Sequence, residues 1–371
     1  MPAALLRTPL SDRHVAAGAK VGPFAGWEMP LYYSTVREEH RAVREGAGVF
    51  DVSHMGQIEV TGPGARAYLQ SALTNDLAKV GPGQGQYTLL LQEDGGIIDD
   101  LIVYGLVDRF LLVVNASNVA ACHDWLAERA PSGVEVDDRS LEVGMLALQG
   151  PAWREALEPH TASPAPFALD YFEIGEDAVA GVPCLLARTG YTGEPGVEML
   201  VPWEGTPRVW DALMAGPHPP APVGLAARDT LRLEMGYPLY GQDLSRERTP
   251  IEAGLGWACD LAGGGFTGAE VLRRQAEAGT AERLAIFRLT EPGIPRAGNE
   301  VLVEGRDAGR VTSGSLSPTL GVGIGMAYVD AETARPGHEI AIDVRGRLKA
   351  ARTERRPLVP RSPKDDSKGG S

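Results

Sequence analysis

Two rhythms of apolar and polar positions run through the first 278 residues, and a single rhythm through the rest of the chain. Alternation of period two marks strands at 49–60, 87–91, 97–104, 110–114, 134–136, 143–149, 183–188 and 197–201. Periods near 3.6 mark helices at 63–73, 117–129, 224–235 and 268–278. Thr35-Val36-Arg37-Glu38 has the spacing of a capping box, opening a helix that should stop near Gly46. Thr206 is placed to cap another, with Pro207 at its first position. Glu93-Asp94-Gly95-Gly96 turns the strand at 87–91 into that at 97–104. Residues 1–34, with Pro9, Pro23, Pro30 and Phe24, Trp27, Tyr32, Tyr33, read as an irregular packed lead-in. The mixture lacks the regular alternation of a parallel sheet and is α+β. Beyond Arg283 only short strands remain (284–289, 301–304, 323–329, 339–344), parted by glycine and proline turns, which predicts an all-β barrel or roll. The expected division is therefore 1–278, 279–360 and a disordered tail at 361–371.

Ile97-Ile98-Asp99-Asp100-Leu101-Ile102-Val103-Tyr104 sets two adjacent acids inside an apolar strand. Alternation puts Ile98, Asp100, Ile102 and Tyr104 on one side and Ile97, Asp99, Leu101 and Val103 on the other. Whichever side is buried carries a carboxylate, which needs a partner or a chemical use; wet acids at a hairpin end are the plainer reading. Glu198, in Gly196-Val197-Glu198-Met199-Leu200-Val201, repeats the pattern just after a glycine-rich turn bearing Tyr191. One carboxylate can accept two parallel bonds from a cyclic N–H/NH2 pair; the plainer reading is an ion pair with Arg188. Arg228 and Arg232 lie four apart on one helix face, with Asp229 able to pair with Arg232, as in a solvated salt-bridge face. An arginine aimed into a cleft would instead hold a ligand carboxylate. Tyr87 and Tyr104, on neighbouring strands, suit a flat-ring pocket or simple packing. Asn115 suits a helix cap or a ligand amide contact. His54 and Met55 read first as core residues.

A length of 371 residues implies two or three domains, and 43% apolar with 23% charged residues marks a globular chain. The net charge of −14 argues against nucleic acid as the main partner, while leaving small anions and proteins open. No apolar run reaches the roughly 20 residues that span a bilayer, and the start shows no targeting signal. Cys122, Cys184 and Cys259 are far apart, as expected of free thiols in a reducing cytoplasm. Neither a phosphate loop, a dinucleotide fingerprint, a His-Glu-x-x-His helix nor a nucleophile elbow is present, and the histidines show no metal-ligand spacing. Carboxylates, tyrosines and arginines are the available chemistry.

Together, Arg7-Thr8-Pro9-Leu10, Phe24-Ala25-Gly26-Trp27-Glu28-Met29-Pro30, Phe50-Asp51-Val52-Ser53-His54-Met55-Gly56, the stretch 95–101, Gly190-Tyr191-Thr192-Gly193-Glu194, the stretch 227–234 and Val311-Thr312-Ser313-Gly314 form an ordered series. In this series the chain, from Thr8 to Pro360, resembles the T protein (aminomethyltransferase) family of the glycine cleavage system. The resemblance implies a three-lobed cloverleaf: two intertwined α+β lobes and a C-terminal β-barrel-like lobe around a funnel for tetrahydrofolate. It implies transfer of the one-carbon unit of an aminomethyl group on the lipoyl arm of the H protein to tetrahydrofolate. Ammonia, 5,10-methylenetetrahydrofolate and dihydrolipoyl H protein result, with no metal and with the P and L proteins as further partners. Asp100, preferred to Asp99 because it shares a face with Tyr104, matches the key acid. Glu198 matches the carboxylate that grips the pterin edge, and Tyr191, Tyr87, Tyr104, Met55, Asn115 and Arg228 match folate-lining positions. Gly263-Gly264-Gly265-Phe266-Thr267-Gly268 departs from the family's Lys-x-Asp/Glu-Phe-Ile-Gly, and no tyrosine stands near Pro363. The alternatives are a folate-binding accessory protein on the same scaffold, which would carry a Lys-Gly-Cys-Tyr-x-Gly-Gln segment absent here, and a demethylation partner of a flavin domain, for which no dinucleotide fingerprint exists.

Overall fold

Thr35 opens the first long helix as its spacing predicts. Its hydroxyl accepts the Glu38 amide proton, and Val36–Glu45 stops at Gly46. The computed structural model describes residues 4–360, so the tail at 361–371 lies outside the described residues.

Five antiparallel strands form one sheet, in the order Gln84–Leu91, Ile97–Gly105, Arg109–Val114, Gly56–Thr61, Glu135–Asp138. Helices Ala65–Ala72 and Val119–Arg129 cover one of its faces, packing Tyr68, Leu69, Cys122 and Leu126 on Ile58, Leu101 and Val103. A second sheet runs Ile174–Val179, Val182–Ala187, Gly196–Pro202, Val143–Gln149, Gly48–Asp51, Ala221–Pro222. Trp153, Trp210 and Leu213, from helices Trp153–Leu157 and Thr206–Ala215, cover its outer face at Val197, Met199 and Val201. The remaining faces share a third core: Tyr104, Leu111 and Val113 of the first sheet with Phe50, Met145, Ala147 and Leu200 of the second, and Ala227 and Leu231 of helix Leu225–Met235.

Several elements differ from expectation. The stretch 49–60 is two strands in two sheets. The buried Asp51 carboxylate accepts from Thr8 Oγ1 (2.6 Å), His14 Nε2 (2.8 Å) and the Ser53 amide (2.9 Å), a polar knot that ends one strand before the next begins. The lead-in holds a small sheet of Leu6–Arg7, Lys20–Phe24 and Trp27–Tyr32. Thr206 is the first helical residue and bonds the Pro202 carbonyl, while Gly205 takes the cap position. Strands Glu282–Leu289, Glu300–Val303, Arg306–Leu316, Gly323–Asp330, Glu339–Asp343 and Leu348–Glu354 close into a barrel. Two of these, Arg306–Leu316 and Leu348–Glu354, have too few apolar residues to read as strands; each is held by backbone pairing along both edges. No described helix is long and apolar enough to cross a membrane.

Helix Leu225–Met235 joins the barrel to the sheets. Arg232, expected from its spacing to sit on a solvated face, is 1% exposed. It donates to Asp243 Oδ2 and to Ser313 Oγ of the barrel, each at 2.7 Å, and to Asp229 at 2.8 Å. Asp243 also accepts from Ser313 and from the Leu239 amide. A buried ion pair broken from one side leaves the other charge stranded. Arg232→Met should therefore destabilise the fold by about 3–5 kcal/mol in urea unfolding, well beyond the effect of removing an exposed pair such as Arg288–Glu354.

Candidate functional site

The hairpin carrying the acid pair is not regular. Leu90 pairs with Asp99 and Leu91 with Ile97, so Ile98 is a bulge. It exchanges the faces expected for the two isoleucines: Ile98 joins the helix-covered core with Leu101 and Val103, and Ile97 packs with Leu89, Leu244 and Phe266. From Asp99 onward alternation holds. Asp99 enters the helix side and is 0% exposed; it accepts from Asn118 Nδ2 (2.6 Å), Asn115 Nδ2 (2.9 Å) and the Asn115 amide (2.9 Å). Asp100 enters the space between the sheets, where it accepts from Tyr87 Oη (2.9 Å) and Asn115 Nδ2 (3.0 Å).

Asn115 caps nothing with its side chain. Its amide bridges the two carboxylates instead, one reading of its position having lost to a use that spacing does not reveal. Burial is the main cause raising both acids, Asp99 to about 8 with help from the Asp100 charge and Asp100 to about 6. The tyrosine and asparagine donors oppose the rise. Asp99 is pushed the higher of the two, so the first charge of the pair falls on Asp100.

Glu198 and Leu200 share the face of the second sheet that meets Ile102 and Tyr104, because period-two alternation sends Val197, Met199 and Val201 outward. Glu198 is 6% exposed and accepts from Thr189 Oγ1 at 2.6 Å. Burial raises its pKa, against the Thr189 bond and the Arg228 charge. Arg188, the partner weighed from sequence, lies 4.5 Å over the Trp153 ring and donates to the Gly196 and Leu169 carbonyls. The cation felt at Glu198 is Arg228.

Arg228 also stands 4.8 Å over the Tyr191 ring, and its buried Nη1 has no partner among the described residues. Tyr191 stacks on Tyr237 (5.7 Å, 26°) and donates its hydroxyl to the Pro238 carbonyl. It feels both Asp100 and Arg228, and so joins the two ends of the site. Met55 is partly buried against the same inter-sheet core. His54 is 3% exposed, and burial with the Arg228 charge lowers it to about 4, so it is neutral. Tyr104 departs from the expected ligand contact. It is 0% exposed in the core and its hydroxyl bonds Thr189 at 2.9 Å, which leaves no surface for a ligand.

Three residues escaped the sequence reading. Trp257, 68% exposed, stacks on Tyr87 (5.4 Å, 20°) at the rim beside Asp100. Its one signal is a large aromatic in a short turn, Gly256-Trp257-Ala258. Asn118 and Thr189 carry none, being small polar residues whose partners are distant in sequence.

The chain matches the family model described as the GCVT N-terminal domain over residues 10–263, and that of the glycine cleavage T-protein C-terminal barrel domain over 282–359. It is 46% identical over 355 residues to an aminomethyltransferase of Geobacillus kaustophilus, covering 93% of this chain and 96% of the relative. It is likewise 46% identical over 366 residues to that of Frankia alni, covering 97% and 99%. The crystal structure of the glycine cleavage system aminomethyltransferase T from Bartonella henselae superposes with a TM-score of 0.89 at 36% identity, over 96% of this chain and 99% of that one. A full-length match in sequence, in both domain models and in fold places the chain in the aminomethyltransferase (T-protein) family of the glycine cleavage system.

Proposed function

We propose that this member of the family moves the one-carbon unit of an aminomethyl group, delivered on the lipoyl arm of H protein, to tetrahydrofolate with release of ammonia. The observation that carries the reading is a chain of neighbours: Arg228, its Nη1 unpartnered among the described residues, feels Glu198 and Tyr191, and Tyr191 feels Asp100. That set suits a flat, hydrogen-bonding ligand. Tyr87 with Trp257 and Tyr191 with Tyr237 supply aromatic walls. Glu198, one oxygen taken by Thr189, orients a ring edge of paired N–H donors. Arg228 supplies a donor and a positive charge.

Asp100 is the base. Its two donors, Tyr87 and Asn115, fix the carboxylate, and partial burial leaves it strong enough to take a proton from an amine near neutral pH. The same negative charge stabilises positive character developing on the carbon being transferred. Met55 lines the site and Tyr104 supports it from behind. We further take residues 1–278 as the transferase unit and 279–360 as a separate barrel unit, working in the cytoplasm beside the P and L proteins; three free, buried cysteines suit that compartment.

The deciding experiment follows ammonia and methylenetetrahydrofolate formation from aminomethylated H protein, with and without tetrahydrofolate. Folate-dependent turnover is expected, and tight folate binding without turnover would overturn the reading. Asp100→Asn should lower kcat by about 10²–10⁴-fold with the tetrahydrofolate Kd nearly unchanged, whereas Glu198→Ala should weaken binding first. In the wild type, kcat should fall about tenfold per pH unit below about 6, where Asp100 protonates, and level off above. The same shift has a stability sign. Asp100 is raised above the roughly 3.9 of an unfolded aspartate, so its ionisation destabilises the fold. The loss is absent below pH ~4, grows between ~4 and ~6 and is complete above. Calorimetry at pH 7 should therefore find Asp100→Asn more stable than the wild type by about 3 kcal/mol.

A further inference from the structure

Behind Glu198 lies a buried chain of hydroxyls. Thr189 is 2% exposed and Tyr104 is 0% exposed. A threonine hydroxyl has one proton, and Thr189 gives it to Glu198 Oε2 at 2.6 Å. Tyr104 must then donate to Thr189 Oγ1 at 2.9 Å, so the chain runs from Tyr104 through Thr189 to Glu198. Run in reverse, with the proton on Glu198, it would leave the Tyr104 hydroxyl proton buried and unpartnered. Thr189 itself cannot drift. Gln149 Nε2 donates to its carbonyl at 3.1 Å, and Gln149 Oε1 accepts from Thr192 at 2.9 Å, pinning both ends of the turn. The Gln149 side chain fits only because residue 190 is glycine, where a β-carbon would stand 1.9 Å from Oε1.

We propose that Thr189 and Tyr104 are positioning residues for folate recognition: their directed hydroxyl chain holds the Glu198 carboxylate ionised and in one orientation, with its acceptor face toward the ligand. The inference rests on the reading of Glu198 as the pterin-gripping acid. It assigns Tyr104, on a strand of the first sheet, the task of reaching across the inter-sheet core to set an acid on the second. Both residues act through Glu198, so they should govern binding and leave the chemical step at Asp100 alone.

The test is tetrahydrofolate binding by isothermal titration, together with kcat and KM from aminomethylated H protein, for Thr189→Val, Thr189→Ser, Tyr104→Phe and Glu198→Gln. Thr189→Val, which keeps the shape and removes the hydroxyl, should raise Kd and KM about tenfold with kcat within about twofold, the loss of one charge-assisted bond. Thr189→Ser should restore binding to within about twofold, and Tyr104→Phe should raise Kd about threefold. A purely structural role would lower kcat and thermal stability together without the split between KM and kcat. Wild-type Kd in both Thr189→Val and Tyr104→Phe, with Glu198→Gln impaired, overturns the inference alone. Wild-type Kd in Glu198→Gln overturns the reading beneath it. Should Thr189→Val fail to fold, the Tyr104→Phe Kd decides: a rise supports the chain and no change overturns it.

Discussion

Two carboxylates on consecutive residues repel each other and resist leaving water, and the site exists because Asn115 stands between them. Its single amide nitrogen reaches Asp99 on one side of the sheet and Asp100 on the other. The backbone amide of Asn115 adds a further bond to Asp99, and Asn118 a third. Asp99 is thus satisfied inside the helix-covered core, and Asp100 is left partly buried on the other face of the sheet. The proton affinity of Asp100 is a product of this arrangement. A wetter carboxylate would be a weaker base, and one without donors would ionise less readily.

Helix Leu225–Met235 ties this chemistry to the rest of the molecule through side chains at different heights. Arg228 faces Tyr191 and Glu198, and Arg232 clamps the barrel through Asp243 and Ser313. Glu234 gathers His40, Arg44, Ser317 and Thr319. The helix that carries Arg228 is thus one of the elements joining the barrel to the sheets, beside the direct His40–Thr319 and Arg248–Glu282 contacts.

Alternation of apolar residues was enough to place most strands of the two sheets, and the capping box and hairpin turn were legible outright. Local pattern failed where a tertiary bond overrode it. Asp51 breaks what reads as a continuous strand because Thr8 and His14 come to it from far away in the chain. The Ile98 bulge is set by register with Leu90 and Leu91, which no single strand encodes. The barrel strand Arg306–Leu316 is held by its neighbours more than by its own side chains. Around the proposed site, Tyr87 bonds Asp100, Tyr191 feels Asp100 and Arg228, and Glu198 feels Arg228. Tyr104 sits one layer deeper because its bond to Thr189 draws it into the core. Asn115 proved to be a bridge because its partners lie on a neighbouring strand and not in its own helix.

The break at Asp51 also orders events during synthesis. The first sheet is built wholly from residues 56–138, one unbroken stretch. The second takes Gly48–Asp51 from before that stretch and everything else from after it, ending with Ala221–Pro222. One sheet is thus nested inside the other along the chain. The inner sheet can close as soon as its own residues have left the ribosome. Meanwhile Gly48–Asp51 must wait, unpaired, until the whole inner sheet has emerged and Val143–Gln149 arrives beside it. Of the two acids proposed for the site, Asp100 is set in place with the inner sheet, and Glu198 only when the outer sheet closes around it.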